Sequence, residues 1–213
     1  MAARATTSRS RPFSSAIHAL ASRSDPGCLI DREGTLLFAN DAWDRFALEN
    51  GGGPSCCAAA LTGSRIYDHV AGEEPRRMLR MLVERVLRQA AQAGPHRAVA
   101  TSECNSPDSA RLVALQLEPV MAGTEVLGLV LVHRVVRQLP AADVYPVVEG
   151  RDYHGPDEAI EQCSCCRRTR RPDDPAEWDF VPALVAVTPR EARFGYCPLC
   201  RELHHAGAPE REG

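Results

Sequence analysis

The sequence predicts an α+β protein that consists of one antiparallel five-stranded sheet with helices on one face, followed by a small zinc-ribbon-like module. Three observations predict this. Apolar and turn-forming segments follow the order strand, strand, helices, three strands. An apolar stripe at helical spacing runs between residues 75 and 93. Two Cys-x-x-Cys pairs lie near the C-terminus, and 213 residues suffice for one medium and one small domain.

Composition divides the chain into five segments. Residues 1–24 contain arginines and serines but no acidic residue, so we expect residues 1–26 to form a flexible leader. Prolines and glycines interrupt any periodicity after residue 137. We therefore expect a sensory-type domain at 27–137, a linker at 138–156, a four-cysteine module at 157–205 and a disordered tail at 206–213.

The first predicted elements are a hairpin and a helix. Residues 28–31 and 35–39 form two short apolar runs, and Gly34 supplies the turn between them. Asn40 or Asp41 can cap the helix that follows over residues 41–50. The sequence Gly-Gly-Gly-Pro at 51–54 ends that helix.

The second half of this domain is predicted to contain a long helix and three strands. Residues 55–74 form an irregular connection, and Pro75 suits the first turn of a helix that extends to Ala93. Met78, Leu82 and Val86 form the apolar stripe of that helix. Three strands are expected at residues 97–103, 111–118 and 125–136, the last two forming a hairpin.

The segment from Cys28 to Phe46 resembles the opening of PAS domains. In that family a strand, an Asp-x-x-Gly turn, a second strand and an Asn lead into a helix with aromatic core residues. Here Asp31 begins the turn, Asn40 precedes the helix and Trp43 is one of its aromatic residues. The stretch 104–108 and the hairpin after it also look like bacterial PAS-like proteins. The resemblance covers about residues 27–136. It implies a sensory or regulatory domain that acts through a protein partner and can form a homodimer.

Nine cysteines require a chemical explanation. Without an export signal we expect a reducing, cytoplasmic location, where clustered cysteines indicate metal or redox chemistry rather than structural disulfides. A two-residue gap lets both sulfurs of a pair face one ion, so the predicted metal ligands are Cys163, Cys166, Cys197 and Cys200. Few apolar residues lie between the pairs, and metal binding would supply the missing folding free energy.

The metal and the remaining cysteines leave alternatives open. One zinc ion is the predicted occupant, and an iron–sulfur cluster is an alternative because it also uses four thiolates. Cys165 is a surplus thiol that could be inert or could exchange with a ligand on oxidation. Single cysteines often act as small apolar residues, which is one reading of Cys28, Cys56, Cys57 and Cys104.

The cysteine segment also resembles a C-terminal module that follows PAS and other signalling domains in bacteria. The shared pattern is Cys-x-x-Cys, basic residues, Trp178, and then Cys-Pro-x-Cys at 197–200. The family often has His-Gly before the second pair, whereas this chain has Phe194-Gly195. The resemblance implies a bacterial signalling protein whose four thiolates are retained.

Sequence signatures of other cofactors, of enzymes and of membrane spans are incomplete or missing. Haem is not expected from the lone His69, and flavin is not expected because residues 54–58 lack the Asn-Cys-Arg-Phe type motif. No phosphate-binding loop, His-Glu-x-x-His or Gly-x-Ser-x-Gly motif is present, so we expect no enzyme activity. No apolar run is long enough to span a membrane, so no membrane partner is expected.

The sequence therefore predicts a non-enzymatic sensory or regulatory protein with a structural or redox-sensitive zinc site. The first alternative is a nucleic-acid-binding regulator that uses the four arginines at 167–171, although the net charge of −3 gives no general attraction to nucleic acids. The second alternative is a thiol-redox protein that uses the first cysteine pair.

Overall fold

The computed structural model describes residues 3–146, 148 and 150–205, and these divide into two compact units. The sheet unit comprises the residues up to 70 together with 79–99 and 115–134. The cysteine unit comprises 71–78, 100–114 and the residues from 135 onward. The predicted disordered tail at 206–213 lies outside the described residues.

The predicted α+β class is confirmed. A five-stranded antiparallel sheet has the order β2-β1-β5-β4-β3, and a second, four-stranded sheet has the order β8-β7-β6-β9. The helices are α1 (Ala3–Ala21), α2 (Asp41–Glu49), α3 (Ala58–Leu61), α4 (Glu73–Ala93), α5 (Ala141–Val144), α6 (Pro182–Ala186) and α7 (Pro198–His205). The strands are β1 (Gly27–Asp31), β2 (Leu36–Ala39), β3 (Ala98–Glu103), β4 (Ser109–Ala122), β5 (Glu125–Pro140), β6 (Glu161–Cys163), β7 (Thr169–Arg170), β8 (Trp178–Asp179) and β9 (Arg193–Gly195).

Strand β1 has apolar side chains on both of its faces. It lies between β2 and β5, with Cys28 opposite Leu131 of β5. Cys28 and Ile30 belong to the core that also contains Val83 and Val86 of α4. Leu29 alternates to the other face, where it belongs to a second core. Apolar burial on both faces explains why β1 is a continuous apolar run.

Residues 1–26 were expected to form a flexible leader, but Ala3–Ala21 form helix α1. Phe13, Ile17 and Leu20 recur at helical spacing and pack in the second core with Leu29 and Val130. Leu20 is only 1% exposed. Arginine and serine content predicts a flexible leader, whereas burial of this apolar stripe stabilises a helix. The second face of the five-stranded sheet is therefore covered by a helix too.

Asn40 connects helix α1 to the start of α2. Its side-chain amide donates to the backbone carbonyls of Leu20 and Asp25 at 3.1 and 3.0 Å. Its side-chain oxygen accepts from the N–H groups of Gly27 and Trp43, each at 3.0 Å. Of the two predicted cap residues, Asn40 is the N-cap of α2. A buried amide with both ends satisfied fixes the segment between α1 and β1.

The segment expected to be a linker, residues 138–156, contains ordered structure in its described part. Strand β5 extends to Pro140, α5 follows, and Tyr145 and Tyr153 are buried. The Tyr145 ring stacks on Phe180 with ring centroids 4.4 Å apart. The Tyr153 hydroxyl donates to Asp179 at 2.8 Å. The prolines and glycines suggested a linker, but the two tyrosines attach this segment to the rest of the cysteine unit.

Candidate metal centre

Parallel pairing of β6 with β9 brings the two cysteine pairs together. Cys163 lies opposite Gly195 in this pairing, although the two residues are far apart in sequence. Because parallel neighbours end at the same edge of a sheet, the turn after each strand starts from the same place. One turn carries Cys163 and Cys166, and the other carries Cys197 and Cys200.

The first pair lies on a tight turn that reverses the chain. The Arg167 N–H donates to the Cys163 carbonyl at 3.1 Å, and the Cys163 N–H donates to the Arg168 carbonyl at 2.8 Å. Arg167 has a φ of 63°, a left-handed conformation that costs free energy for a residue other than glycine. The turn directs the sulfurs of Cys163 and Cys166 to the same side.

The second pair lies at the beginning of α7. Pro198 occupies the first turn, where its missing N–H is not needed. The Cys200 N–H donates to the Cys197 sulfur at 3.5 Å, so the sulfur has the role of a helix cap. Backbone N–H groups at the start of a helix stabilise negative charge, which favours a thiolate at Cys197.

The four predicted ligands form one buried cluster. Every pair of their sulfurs lies within 4.8 Å, and the Sγ atoms of Cys166 and Cys197 are 3.5 Å apart. All four residues are at most 1% exposed. A tetrahedral zinc ion with Zn–S bonds of about 2.3 Å requires sulfurs separated by roughly 3.8 Å. The donor set and its spacing therefore fit a tetrathiolate site. The other five cysteines are not part of this group of four: Cys28, Cys56, Cys57, Cys104 and Cys165.

Proton sharing within the cluster points to the same need for a cation. A hydrogen bond from Cys166 lowers the pKa of Cys163, so the Cys163 sulfur is favoured as the charged one. Hydrogen bonding to Cys163 raises the pKa of both Cys166 and Cys200 above the usual range of a thiol. Without a cation, the sulfurs of Cys166 and Cys200 therefore keep their protons. Four thiolates at this separation need a positive ion among them.

Asn105 holds the backbone next to the cluster, and sequence reasoning missed it. Its side-chain amide donates to the Cys166 carbonyl and to the Tyr145 hydroxyl, both at 2.8 Å. Its side-chain oxygen accepts from the Arg111 N–H at 2.8 Å. The available signal was the polar stretch 104–108 before a strand, where an asparagine often satisfies backbone groups.

Residues 71–78 belong to the cysteine unit, although the sequence placed them within the segment 27–137. The Ser164 hydroxyl donates to the Ala71 carbonyl at 2.9 Å. The Arg201 guanidinium donates to both carboxylate oxygens of Glu74 at 2.8 and 3.0 Å. Met78 packs against the cysteine cluster. The first turns of α4 are thus part of the surroundings of the candidate site.

The arginine-rich segment at 167–171 is used within the cysteine unit. Arg171 forms two 2.7 Å hydrogen bonds with the buried carboxylate of Asp179. Arg170 lies 2.6 Å from Glu161, and Arg168 lies 3.7 Å from Glu103. The Arg167 guanidinium lies over the ring of Phe194. The predicted nucleic-acid patch is therefore a set of arginines that already have intramolecular contacts.

The remaining candidates lie in different surroundings. His69 is exposed at the end of a 3₁₀ turn, with its Nε2 atom 2.6 Å from the Ser64 hydroxyl. Cys165 is partly buried and packs against the four-cysteine cluster. A hydrogen bond with Cys165 contributes to the raised pKa of Cys200, so the surplus thiol reaches a predicted ligand. No helix in the described ranges is both long and apolar enough to cross a membrane.

Comparison with known proteins yields similarity of fold alone. No family model and no curated protein matches the chain. The PAS domain of Bordetella pertussis BvgS is 18% identical, with a TM-score of 0.44 over 59% of this chain and 86% of that one. The phage VqmA–DPO complex is 15% identical, with a TM-score of 0.43 over 62% of this chain, which spans only 56% of the VqmA chain.

A third similar structure is the PAS domain, in complex with ethanol, of a LuxR-family transcriptional regulator from Burkholderia thailandensis. It is 12% identical, with a TM-score of 0.38 over 56% of this chain and 95% of that one. The chain is thus similar in fold to PAS domains, and it carries a close cluster of four cysteines.

Proposed function

We propose that this chain is a non-enzymatic signal-sensing or regulatory protein that holds one zinc ion and acts through a partner protein. The ligands are Cys163, Cys166, Cys197 and Cys200. The observation that carries the proposal is the meeting of four buried sulfurs within 4.8 Å at the ends of two parallel strands. A PAS-like fold in the same chain as such a site supports a regulatory role.

The ligand set favours a structural or regulatory metal over a catalytic one. Four thiolates complete the tetrahedral shell of zinc and leave no position for water or substrate. The sulfurs are also buried, so a substrate has no access to the metal. An ion in this site would stabilise the fold of the cysteine unit and would not supply a nucleophile.

The contacts of residues 71–78 suggest how the metal state would influence a partner. Zinc binding orders the Cys197–Cys200 turn and with it α7, whose Arg201 contacts Glu74 in the first turn of α4. Loss of zinc would weaken this contact and the hydrogen bond from Ser164 to Ala71. A partner that binds the two arrangements with unequal affinity would then respond to the metal state.

Cys165 makes the same site sensitive to oxidation. Cys165 packs against the four-cysteine cluster, which places its thiol close to the ligand sulfurs. Oxidation of Cys165 and Cys200 by hydrogen peroxide would form one disulfide and two water molecules, and zinc would lose one of its ligands. Zinc release by peroxide should therefore be slower in Cys165→Ser than in the unmodified chain.

The decisive experiment is elemental analysis, together with ultraviolet–visible absorption, of the full chain purified under reducing conditions. We expect one zinc per chain and no absorption from iron–sulfur, haem or flavin. The Cys200→Ser variant should lose most of the zinc, whereas the matched Cys57→Ser variant should retain it, because Cys57 lies outside the cluster. Equal zinc content in both variants, or intrinsic enzymatic turnover of the purified chain, would contradict the proposal.

A further inference from the structure

One face of the four-stranded sheet carries a row of charged and aromatic side chains. Arg170 of β7 lies opposite Trp178 of β8, and Glu161 of β6 lies opposite Arg193 of β9. The Arg170 guanidinium reaches across to Glu161 at 2.6 Å. Residues that lie directly opposite each other on neighbouring strands project to the same face of the sheet. These four residues therefore share one face. The order along the row is Trp178, Arg170, Glu161, Arg193.

This row lines a cleft of about 380 Å³ in the cysteine unit. Phe194, Tyr196 and Arg201 also line it, so three arginines and three aromatic residues surround one space. The volume falls within the range of roughly 300–1,000 Å³ that is typical of small-molecule sites. Trp178 is partly buried against the cysteine cluster, which fixes the position of its ring.

The guanidinium groups keep hydrogen-bond donors for a ligand. The described contacts of Arg170 use Nη1 and Nε, and its Nη2 group is not involved in them. The described ion pair of Arg193 with Asp157 uses Nη2, and the two side chains are 64% and 50% exposed. Exposed ion pairs contribute little stability, so an oxyanion can compete for these arginines.

We propose that this cleft binds a nucleotide, with the base against the ring of Trp178 and the phosphate held by Arg193 and Arg170. Guanidinium groups recognise phosphate oxygens, and aromatic rings stack on bases of any sequence. The nucleotide can be free in solution or part of a single-stranded nucleic acid, since both present the same base and phosphate. The inference adds a ligand site to the cysteine unit and goes beyond the metal-dependent role proposed above.

Fluorescence of Trp178 provides a direct test. The chain has only two tryptophans, so Trp43→Phe in the zinc-loaded full chain leaves Trp178 as the only one. We expect adenosine monophosphate to quench its emission in a saturable manner at low salt, and adenosine or inorganic phosphate alone to bind at least tenfold more weakly. Phosphate that binds as tightly as the nucleotide would overturn the stacking role of Trp178.

A short single-stranded oligonucleotide distinguishes the two sources of the nucleotide. An affinity well above that of adenosine monophosphate would support the proposal with a nucleic acid as the ligand. Equal affinities would support it with a free nucleotide as the ligand. Saturable binding of neither compound would overturn the proposal.

A pair of arginine variants then tests the site. Arg193→Ala should weaken nucleotide binding by about tenfold or more, because a charge-assisted hydrogen bond to phosphate is lost. Arg190→Ala is the matched control: Arg190 is also exposed and close in sequence but does not line the cleft. Equal affinities in the two variants would overturn the proposal. Zinc content measured on the same samples shows separately whether the metal site is intact, so failure of the cleft and failure of the metal proposal are distinguishable.

Discussion

The sheet unit and the cysteine unit are stabilised by different chemistry. The sheet unit has a large apolar core in which Ile30, Leu117 and Leu129 are fully buried. The cysteine unit has two smaller buried clusters, one of four cysteines and Tyr196 and one of Ala141, Tyr145 and Phe180. Apolar burial contributes about 25 cal/mol per Å², a contribution that the sheet unit gains without any ion. Four buried thiols contribute much less until a cation binds them.

Each unit also contains one buried asparagine whose amide connects separate segments. Asn40 connects the end of α1 to the start of α2 in the sheet unit. Asn105 connects the Tyr145 hydroxyl to the Cys166 carbonyl in the cysteine unit. Both side chains have partners for their donors and acceptors. Only Asn105 hydrogen-bonds to a predicted metal ligand, which makes its expected role different.

Metal removal should produce the largest difference between the two units. Structural zinc sites contribute about 10–16 kcal/mol of binding free energy, more than a small domain without metal can replace. After chelation under reducing conditions, the backbone amides of β6, β7 and β9 should lose their protection from hydrogen exchange. Amides of β1, such as Leu29 and Ile30, should remain protected because their cores contain no predicted metal ligand. Unchanged protection in β6 and β9 would refute this contrast.

The two asparagines provide the next test. Asn40→Ala should lower the free energy of unfolding of the sheet unit by about 2–4 kcal/mol, because buried backbone groups lose their partners. Its zinc affinity should not change. Asn105→Ala should weaken zinc binding by roughly ten- to a hundredfold, the usual effect of removing a group that supports a metal ligand. Zinc competition titrations and denaturant unfolding measure the two effects, and a loss of zinc affinity in Asn40→Ala would count against the contrast.

Elements with strong local signals were predictable from the sequence. The apolar runs of β1 and β5, the stripe of α4 and the cap at Asn40 all combine pattern with chain punctuation. The grouping of the four cysteines was predictable too, because a Cys-x-x-Cys spacing restricts the geometry of the turn itself. The structure confirms the fold class and brings these four cysteines together.

Features that depend on contacts distant in sequence were not predictable. Helix α1 is defined by burial of Leu20, which a composition rich in arginine and serine does not indicate. The partners of Asn105 and of Glu74 lie 61 and 127 positions away along the chain. The arginines at 167–171 suggested a binding surface because their acidic partners, such as Asp179, cannot be assigned without the fold.

Two glycines with the same backbone conformation test close packing in the cysteine unit. Gly72 and Gly63 have φ values of 90° and 88°, so alanine is strained at both. A Cβ atom on Gly72 would lie 2.4 Å from the Phe194 carbonyl oxygen, whereas one on Gly63 has no neighbour within 4 Å. Gly63→Ala should cost about 1 kcal/mol of stability in the sheet unit, and Gly72→Ala about 2–3 kcal/mol in the cysteine unit. Thermal unfolding of the zinc-bound variants measures both costs, and equal losses would show that Phe194 moves aside without cost.

The smallest expected effect is a pH dependence confined to the sheet unit. Burial lowers the pKa of His133 from 6.5 to about 4, and its ring meets Trp43 edge-on with centroids 5.8 Å apart. The unfolded chain therefore binds a proton at a higher pH than the folded one, so stability falls as the pH drops from about 6.5 towards 4. Between pH 7 and 5 we expect the free energy of unfolding to fall by about 1 kcal/mol. The fall is smaller than the difference in pKa implies, because solvent reaches the partly exposed His133 side chain. His133→Phe keeps an aromatic ring beside Trp43 and should remove this loss. Hydrogen exchange at Leu29 and Ile30 measures the sheet unit alone, and an equal loss in the variant would assign the acid sensitivity to other groups.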